Sequence, residues 1–401
     1  MGLRRSKIKV DDENPRIDYG VIFSVMVLAL IGLLSIYVAA SHDYRGSGPW
    51  RMVVSQMLWY VIGAIGVFVI MHFDAEQLWT IAPYAYWAGI GLLIAVLFFY
   101  SREYAMQTGA RSWFALGPLS FQPSEIMKPA FILMLGRVVT IHNHTFPIHT
   151  LRNDLRLIGK MVLWSIPVIV LMLLQKDFGT MLVFLAILAG VILVSGIDWR
   201  ILLFLGALVG ILGGGAIYLV VTGEGRQILA SIGFHAYQFE RIDSWLNPSG
   251  DTSNSSYQLW QNLKAIGSGK LIGKGFNHSN VYVPVRESDM IFSVIGENFG
   301  FIGCCALIMV YFLLISQMVK VTFDTKNEFY AYVSTGIIMM ILFHVFENIG
   351  MSIGLLPMTG IPLPFISQGG SALLGNMIGI GMIMSMRYHY KSYMFSSDDF
   401  K

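Results

Sequence analysis

Ten stretches of this 401-residue chain are long and apolar, and their recurrence limits the fold more than any other feature. They run over 18–40, 50–72, 78–100, 122–141, 157–174, 178–196, 199–221, 289–320, 328–354 and 367–389. About 20 residues at 1.5 Å each cross the hydrocarbon of a bilayer, so each stretch is a candidate span. Composition agrees: 55% of residues are hydrophobic and 13% charged, against about 45–50% and about 25% in soluble proteins. A soluble fold of this size needs far more polar surface. The expected fold is an all-α polytopic membrane protein of about ten transmembrane helices. A soluble enzyme, a disordered chain and a disulfide-stapled secreted chain are excluded. The two cysteines, Cys304 and Cys305, are adjacent in an apolar run and read as small core residues.

The first stretch is too long for a signal-peptide core of about 7–15 residues and reads as a retained span. The fifth and sixth are separated only by Gln175, Lys176 and Asp177, which suggests a tight helical hairpin. Orientation follows from the Lys/Arg asymmetry of short loops. With the N-terminus cytoplasmic, the inner segments hold Arg4, Arg5, Lys7, Lys9, Arg16, Arg137, Arg152, Arg156, Lys160, Arg200, Lys320, Lys326, Arg387, Lys391 and Lys401. The outer short loops hold only Arg45, Arg51, Arg102, Arg111 and Lys176. Both termini are therefore expected inside, as tails 1–17 and 391–401 flanking one membrane domain, 18–390. Its loop 222–288, between spans 7 and 8, is then extracytoplasmic. That loop carries two helical apolar patterns, Ile228/Ile232/Tyr237/Phe239 and Leu259/Trp260/Leu263/Ile266, which fit amphipathic helices lying at the membrane surface.

Ionisable groups inside or beside spans are costly and need a reason. Pro123 suits a first helical position, and the spacing of three in Glu125-Ile126-Met127-Lys128 puts carboxylate and ammonium on one face. That pair either seats the helix or walls a polar cavity. Asp289, at the junction of the long loop and the eighth span, either caps the helix or stands as a general base at the outer face. Glu287, two residues before it, competes for either role. His344, Glu347 and Asn348 share one face of the ninth span, a pattern used more often for interhelical hydrogen bonds than for proton relays. The run Gly267-Ser268-Gly269-Lys270 through Gly273-Lys274-Gly275 fails the Walker spacing. Its readings are a phosphate-binding nest or, more simply, a flexible turn.

Four stretches together resemble the shape, elongation, division and sporulation (SEDS) family of bacterial cell-wall polymerases. They are Gly109-Ala110-Arg111-Ser112-Trp113 with Phe121-Gln122-Pro123-Ser124-Glu125; Gln175-Lys176-Asp177-Phe178-Gly179-Thr180; Ala265 to Gly269 with Ser288-Asp289-Met290-Ile291-Phe292 and Gly296-Glu297; and Asn348-Ile349-Gly350 with Leu355 to Ser367. The resemblance covers essentially the whole chain and is stronger to the RodA-type elongation branch than to the division branch.

The resemblance implies a peptidoglycan glycosyltransferase acting on lipid II, a disaccharide-pentapeptide on undecaprenyl pyrophosphate, at the cytoplasmic membrane of a bacterium. Asp289 matches the family's essential aspartate and would be the general base of an inverting transfer. Trp113, Arg111, Ser124, Glu125, Lys128 and Glu287 would be substrate-binding, with Arg111 and Lys128 compensating the pyrophosphate charge. Asp177, Glu297, His344, Glu347 and Asn348 would be structural intramembrane polar groups. No cofactor is firmly implied; Asp289 and Glu287 are candidate ligands of a divalent cation such as Mg2+ or Mn2+. The implied partners are a class B penicillin-binding protein and other elongation-complex membrane proteins. Docking is expected on spans 8 and 9 and the outer loop, where Gly336 and Gly350 would permit close approach. A formal charge of +3 gives no reason to expect nucleic acid. The chain departs from the family pattern at Val285, Glu287-Ser288, Lys270 and Gln368. Two other activities stay open: a lipid II flippase, which needs polar groups through the whole depth, and a non-enzymatic scaffold.

Overall fold

The structure, a computed structural model, describes residues 17–42, 48–116, 119–231, 242–250 and 256–393. It is helical almost throughout. The elements are α1 Tyr19–Ser41, α2 Pro49–Met71, α3 Ala75–Phe99, α4 Arg102–Thr108, a hairpin β1 Phe114–Leu116 and β2 Leu119–Phe121, α5 Pro123–Thr145, α6 Leu151–Gln175 and α7 Phe178–Val194. They continue as α8 Trp199–Val221, α9 Gly223–Ser231, α10 Tyr257–Ser268, α11 Ile291–Thr325, α12 Glu328–Ser352 and α13 Gly370–Tyr393. Among the described residues ten long helices overlap the ten apolar stretches. Seven of them are long and apolar enough to cross a membrane by length and composition, and the chain is a multi-pass membrane protein.

Local chemistry sets the helix starts. Asp18, Asp74, Thr150, Asp177, Asp198 and Asn327 each accept a hydrogen bond from a first-turn amide, which satisfies an orphan N–H. Pro49 and Pro123 open α2 and α5, where a missing N–H costs nothing. Lys176, in the left-handed region at φ 59°, ends α6, and Asp177 caps α7 at once, so the expected tight hairpin forms.

α5 and α12 are the buried axis of the bundle, packed against α3, α7 and each other. α2 packs on α13 and α1 on α11. Large apolar side chains such as Phe23, Leu58, Phe98, Phe204 and Phe312 point outward. That is costly in water and appropriate in lipid. α8 is the extreme case: it buries only Ile201 and Val220.

The structure departs from expectation in five places. First, the eighth span is broken. Within α11, Gly300 takes φ 64°, ψ −160°, a conformation open essentially to glycine alone. Second, the glycine-rich run is neither a phosphate nest nor a flexible turn; it splints this break. Glu297 O and Asn298 O accept from Lys274 N and Gly275 N, both at 3.0 Å, while Phe301 N and Ile302 N donate to Lys270 O and Leu271 O at 2.9 and 3.1 Å. Backbone lies on backbone: a Cβ on Gly273 would stand 2.1 Å from Asn298 O. Amides used this way are not available to a phosphate. Third, the apolar face of α10 packs on protein rather than standing free. Leu259 and Ala265 are fully buried, Asn262 donates to Ser352 O, and the helix packs on α11. The other apolar pattern begins at Ile228, on α9, and continues into 232–241, outside the described residues. Fourth, Gly336 and Gly350 are not on a docking face. A Cβ on Gly336 would meet Ile132 of α5 at 2.7 Å, and one on Gly350 would meet Leu356 at 2.8 Å. Fifth, of the cysteines, Cys304 is in the core as expected, whereas Cys305 is exposed.

Candidate functional site

Polar side chains converge at the end of the bundle that holds the N-termini of α5, α7 and α11, beneath the loop 353–369. Asp177 Oδ1 caps Thr180 N at 3.1 Å and Oδ2 accepts from Gln122 Nε2 at 2.9 Å, which ties α5 to α7. Gly179 lies against the loop, with a Cβ position 3.1 Å from Thr359 O. The next loop residue, Gly360 at φ 78°, would place a Cβ 3.3 Å from Asp289 Oδ2. The Asp289 carboxylate thus rests beside a glycine where any side chain would crowd it.

Asp289 is half-buried in the turn 284–290 that leads into α11. The turn is held by three successive carbonyls. Those of Glu287, Ser288 and Asp289 accept from Gln368 N at 2.9 Å, Ser367 Oγ at 2.6 Å and Asn348 Nδ2 at 2.8 Å. Asn348 Nδ2 also donates to Ile361 O at 2.8 Å, so one amide locks turn and loop together. Val285 sits in the left-handed region at φ 54°, a strain of order 1–3 kcal/mol for a β-branched residue that only an over-determined turn sustains.

The loop is anchored in turn from α2 and α11. Gln56 donates to Ser367 O and accepts from Gly369 N, both at 3.3 Å; Tyr60 and Tyr311 donate to Phe365 O and Pro364 O. Sequence reasoning missed Gln56, Tyr60 and Tyr311. A glutamine inside the apolar stretch 50–72, here 1% exposed, is the signal that marks Gln56.

About one helical turn deeper along α12 lies a second polar group. Lys128 Nζ is 2.6 Å from Glu125 Oε2 and 3.1 Å from His344 Nε2, and all three side chains are buried. His344 Nδ1 bonds Met340 O at 2.8 Å, an arrangement that leaves Nε2 as the acceptor facing the ammonium. Ser124 Oγ and Glu125 Oε2 have no hydrogen-bond partner of good geometry among the described residues. Glu347 is buried on the same face of α12 and meets Thr359 of the loop. The face read from His344, Glu347 and Asn348 therefore joins the Asp289 turn to the Glu125–Lys128 pair.

Glu297 forms a separate knot. Its Oε1 accepts from Lys274 Nζ at 2.8 Å, Asn280 N at 2.8 Å and Val281 N at 3.2 Å, and its Oε2 from Arg286 Nη2 at 3.0 Å. Burial pushes the Arg286 guanidinium below its ordinary pKa, and the Glu297 and Glu287 carboxylates oppose that shift. Glu287 lines a small cavity with Ala39, His42, Tyr282 and Arg286. Arg111 and Trp113 stand on the rim: the Arg111 guanidinium lies 5.2 Å over the Tyr100 ring, the Arg111 backbone amide donates to Gln175 O, and Trp113 stacks on Tyr104 at 5.6 Å. Among the described residues no group of three or more His, Cys, Asp or Glu side chains is placed to hold a metal ion.

Fold and site together define a polytopic helical membrane protein with an acidic residue pinned at one end of the bundle, above a buried polar wall. The family model described as "Cell cycle protein", covering FtsW, RodA and SpoVE, matches residues 19–392, and the chain belongs to that family. The chain is 32% identical to the peptidoglycan glycosyltransferase MrdB of Escherichia coli K12, over 94% of this chain and 95% of that one. It is 30% identical to the stage V sporulation protein E of Bacillus subtilis, over 92% and 96%. Among solved structures, the rod shape determining protein RodA of Thermus thermophilus is similar at 27% identity and a TM-score of 0.65, over 93% and 97%. A chain of a peptidoglycan synthase complex shares the fold with a TM-score of 0.72 at 24% identity, over 95% and 99%.

Proposed function

We propose that this protein is a peptidoglycan glycosyltransferase that polymerises lipid II at the outer face of the cytoplasmic membrane during cell elongation. The observation that carries the reading is the Asp289 turn, whose backbone is held at three consecutive carbonyls and whose carboxylate lies beside Gly360. The names of the relatives and the family membership support it. Asp289 takes the proton of the acceptor sugar's 4-hydroxyl as that oxygen attacks the donor's anomeric carbon. The bond from that carbon to the pyrophosphate breaks, the lipid pyrophosphate leaves with the electron pair, and configuration inverts. A positioned base is worth about 10²–10⁴-fold. Arg111, exposed on the rim, supplies positive charge to the pyrophosphate, and Trp113 offers an aromatic face beside it. Lys128, already engaged by Glu125 and His344, acts as part of the wall below, with Ser124. Glu287 stands beside Arg286 as an assistant to Asp289.

Both termini are then cytoplasmic, in line with the Lys/Arg asymmetry. The partner is a single-span class B transpeptidase that crosslinks the new strand, alongside other elongation-complex membrane proteins. The resemblance of fold to a chain of a peptidoglycan synthase complex supports this. The outward side chains Phe301, Ile302, Met309 and Phe312 of α11 offer it a surface, in place of the buried glycines of α12. The second reading, lipid II translocation, draws on the buried Glu125–Lys128–His344 group, which carries polarity into the bundle.

Glycan-strand formation from purified lipid II, with the transpeptidase present and melting curves matched, tests the first reading in wild type and Asp289→Asn. Polymer from wild type alone is expected. Polymer from both overturns Asp289 as base. Polymer from neither, with lipid II crossing proteoliposomes, transfers the reading to translocation.

A further inference from the structure

The opposite end of the bundle holds an open cavity of about 400 Å³ between the C-terminal end of α5 and the N-terminal half of α6, lined by Phe146, Arg156, Gly159, Lys160 and Leu163. Its chemistry is graded. At one side Arg156 and Lys160, one helical turn apart, lie over the Phe146 ring at 6.0 and 5.9 Å. At the other, Leu163 is 65% exposed on a face of α6 shared with exposed Leu155, Val162 and Ile166. Gly159 leaves the floor between them open, since a Cβ there meets nothing within 4 Å.

Charge at the cationic side is uncompensated. Among the described residues neither cation has a carboxylate within ion-pair distance; Asp154, the nearest acid on α6, is taken by His149 and the amide of Asp198. Lys160 Nζ donates one hydrogen to Nδ1 of buried His142 at 3.3 Å, which fixes the ammonium at the cavity wall. Two ammonium hydrogens and the guanidinium fork remain for a ligand. A fork and an ammonium over an aromatic ring match the oxygens of a phosphate, and an adjoining apolar wall matches an acyl chain. Neither half alone selects a lipid; their adjacency does.

We infer that the cavity lined by Arg156, Lys160, Phe146 and Gly159 binds the phosphate head group of an anionic phospholipid of the cytoplasmic leaflet, with its acyl chain along Leu163. The leaflet follows from the orientation proposed above; the chemistry does not depend on it. The occupant is distinct from the substrate, which the site at the other end of the bundle would take.

The test is native mass spectrometry and thermal melting of the full chain in phosphatidylcholine nanodiscs, with phosphatidylglycerol, cardiolipin or inorganic phosphate added. Wild type is expected to retain the anionic lipids and melt higher with them, and not with inorganic phosphate. Arg156→Gln with Lys160→Gln should retain them about 10–50-fold less well while melting like wild type in phosphatidylcholine alone. Gly159→Leu, which fills the floor and leaves both charges, should lose the same retention. This variant keeps the test decisive if the double variant fails to fold. Equal stabilisation by inorganic phosphate identifies free phosphate as the ligand and overturns the lipid. Undiminished lipid retention in the folded double variant or in Gly159→Leu overturns the site.

Discussion

Two buried carboxylates, Glu297 and Glu125, sit near the same end of this bundle and are treated in opposite ways. Glu297 is saturated: two cations and two backbone amides converge on its oxygens, and all of them come from the segment 274–286 that lies across the break at Gly300. Among the described residues Glu125 has a single partner, Lys128, whose ammonium is shared with His344, and its Oε2 lacks a well-formed hydrogen bond. A buried charge with all its lone pairs satisfied is cement, because any rearrangement strands several groups at once. One held by a single shared partner can exchange that partner at lower cost. Groups of the second kind suit a surface that must meet a changing substrate, and the Glu125 group is the one joined through α12 to the Asp289 turn.

The largest effect is expected at the cement. Glu297→Ala strands Arg286, Lys274 and two amides, and should cost about 3–5 kcal/mol, read as a lower melting temperature in nanodiscs. Adding Lys274→Met should not restore it, since Arg286 and the amides stay unpaired. Glu125→Ala should cost about 3 kcal/mol, and here Lys128→Met added to Glu125→Gln should bring melting back to within about 1 kcal/mol of wild type. Strand synthesis by that double variant should still be down about tenfold or more. Rescue at the Glu297 knot, or full activity in the neutralised Glu125 pair, would break the comparison. Asn348→Ala removes one bond from α12 to the turn and one to the loop, for about 1–3 kcal/mol, with polymerisation falling further than melting because the Asp289 turn is loosened. The smallest change is Val285→Gly, which should gain about 0.5–1 kcal/mol by removing left-handed strain at a β-branched residue. Unchanged melting there would mean the turn carries no strain.

Much of the fold was legible in the chain. A spanning helix announces itself because every backbone group must be paired within the segment and every outward side chain must tolerate lipid, both of which are local demands. The caps at Asp74 and Asp177 and the hairpin turn at Lys176 are local in the same sense. Residues of the candidate site were legible by type and spacing: Glu125 with Lys128, and His344 with Asn348, lie on shared faces where helical geometry puts them. The family motifs pointed to Asp289. What no spacing conveys is which partner a polar group finds across the bundle. Lys128 meets His344 from a helix more than 200 positions away in sequence, and Asn348 meets the carbonyl of Asp289.

The glycine run shows the limit most clearly. Gly269 and Gly273 read as a loop because glycine's backbone freedom is all that the local sequence displays. Their purpose exists only where α11 breaks at Gly300 and needs four amide–carbonyl partners, close enough that a single Cβ would collide. Gly336 and Gly350 teach the same lesson: small residues permit close approach, but the sequence does not say to what, and both face their own protein. The chain by itself determined the long apolar helices, to within several residues at their ends, the membrane as solvent and the acids worth testing. The tertiary structure alone decided which of those acids are saturated and which are left able to exchange partners, because saturation depends on groups that only folding brings within hydrogen-bond reach.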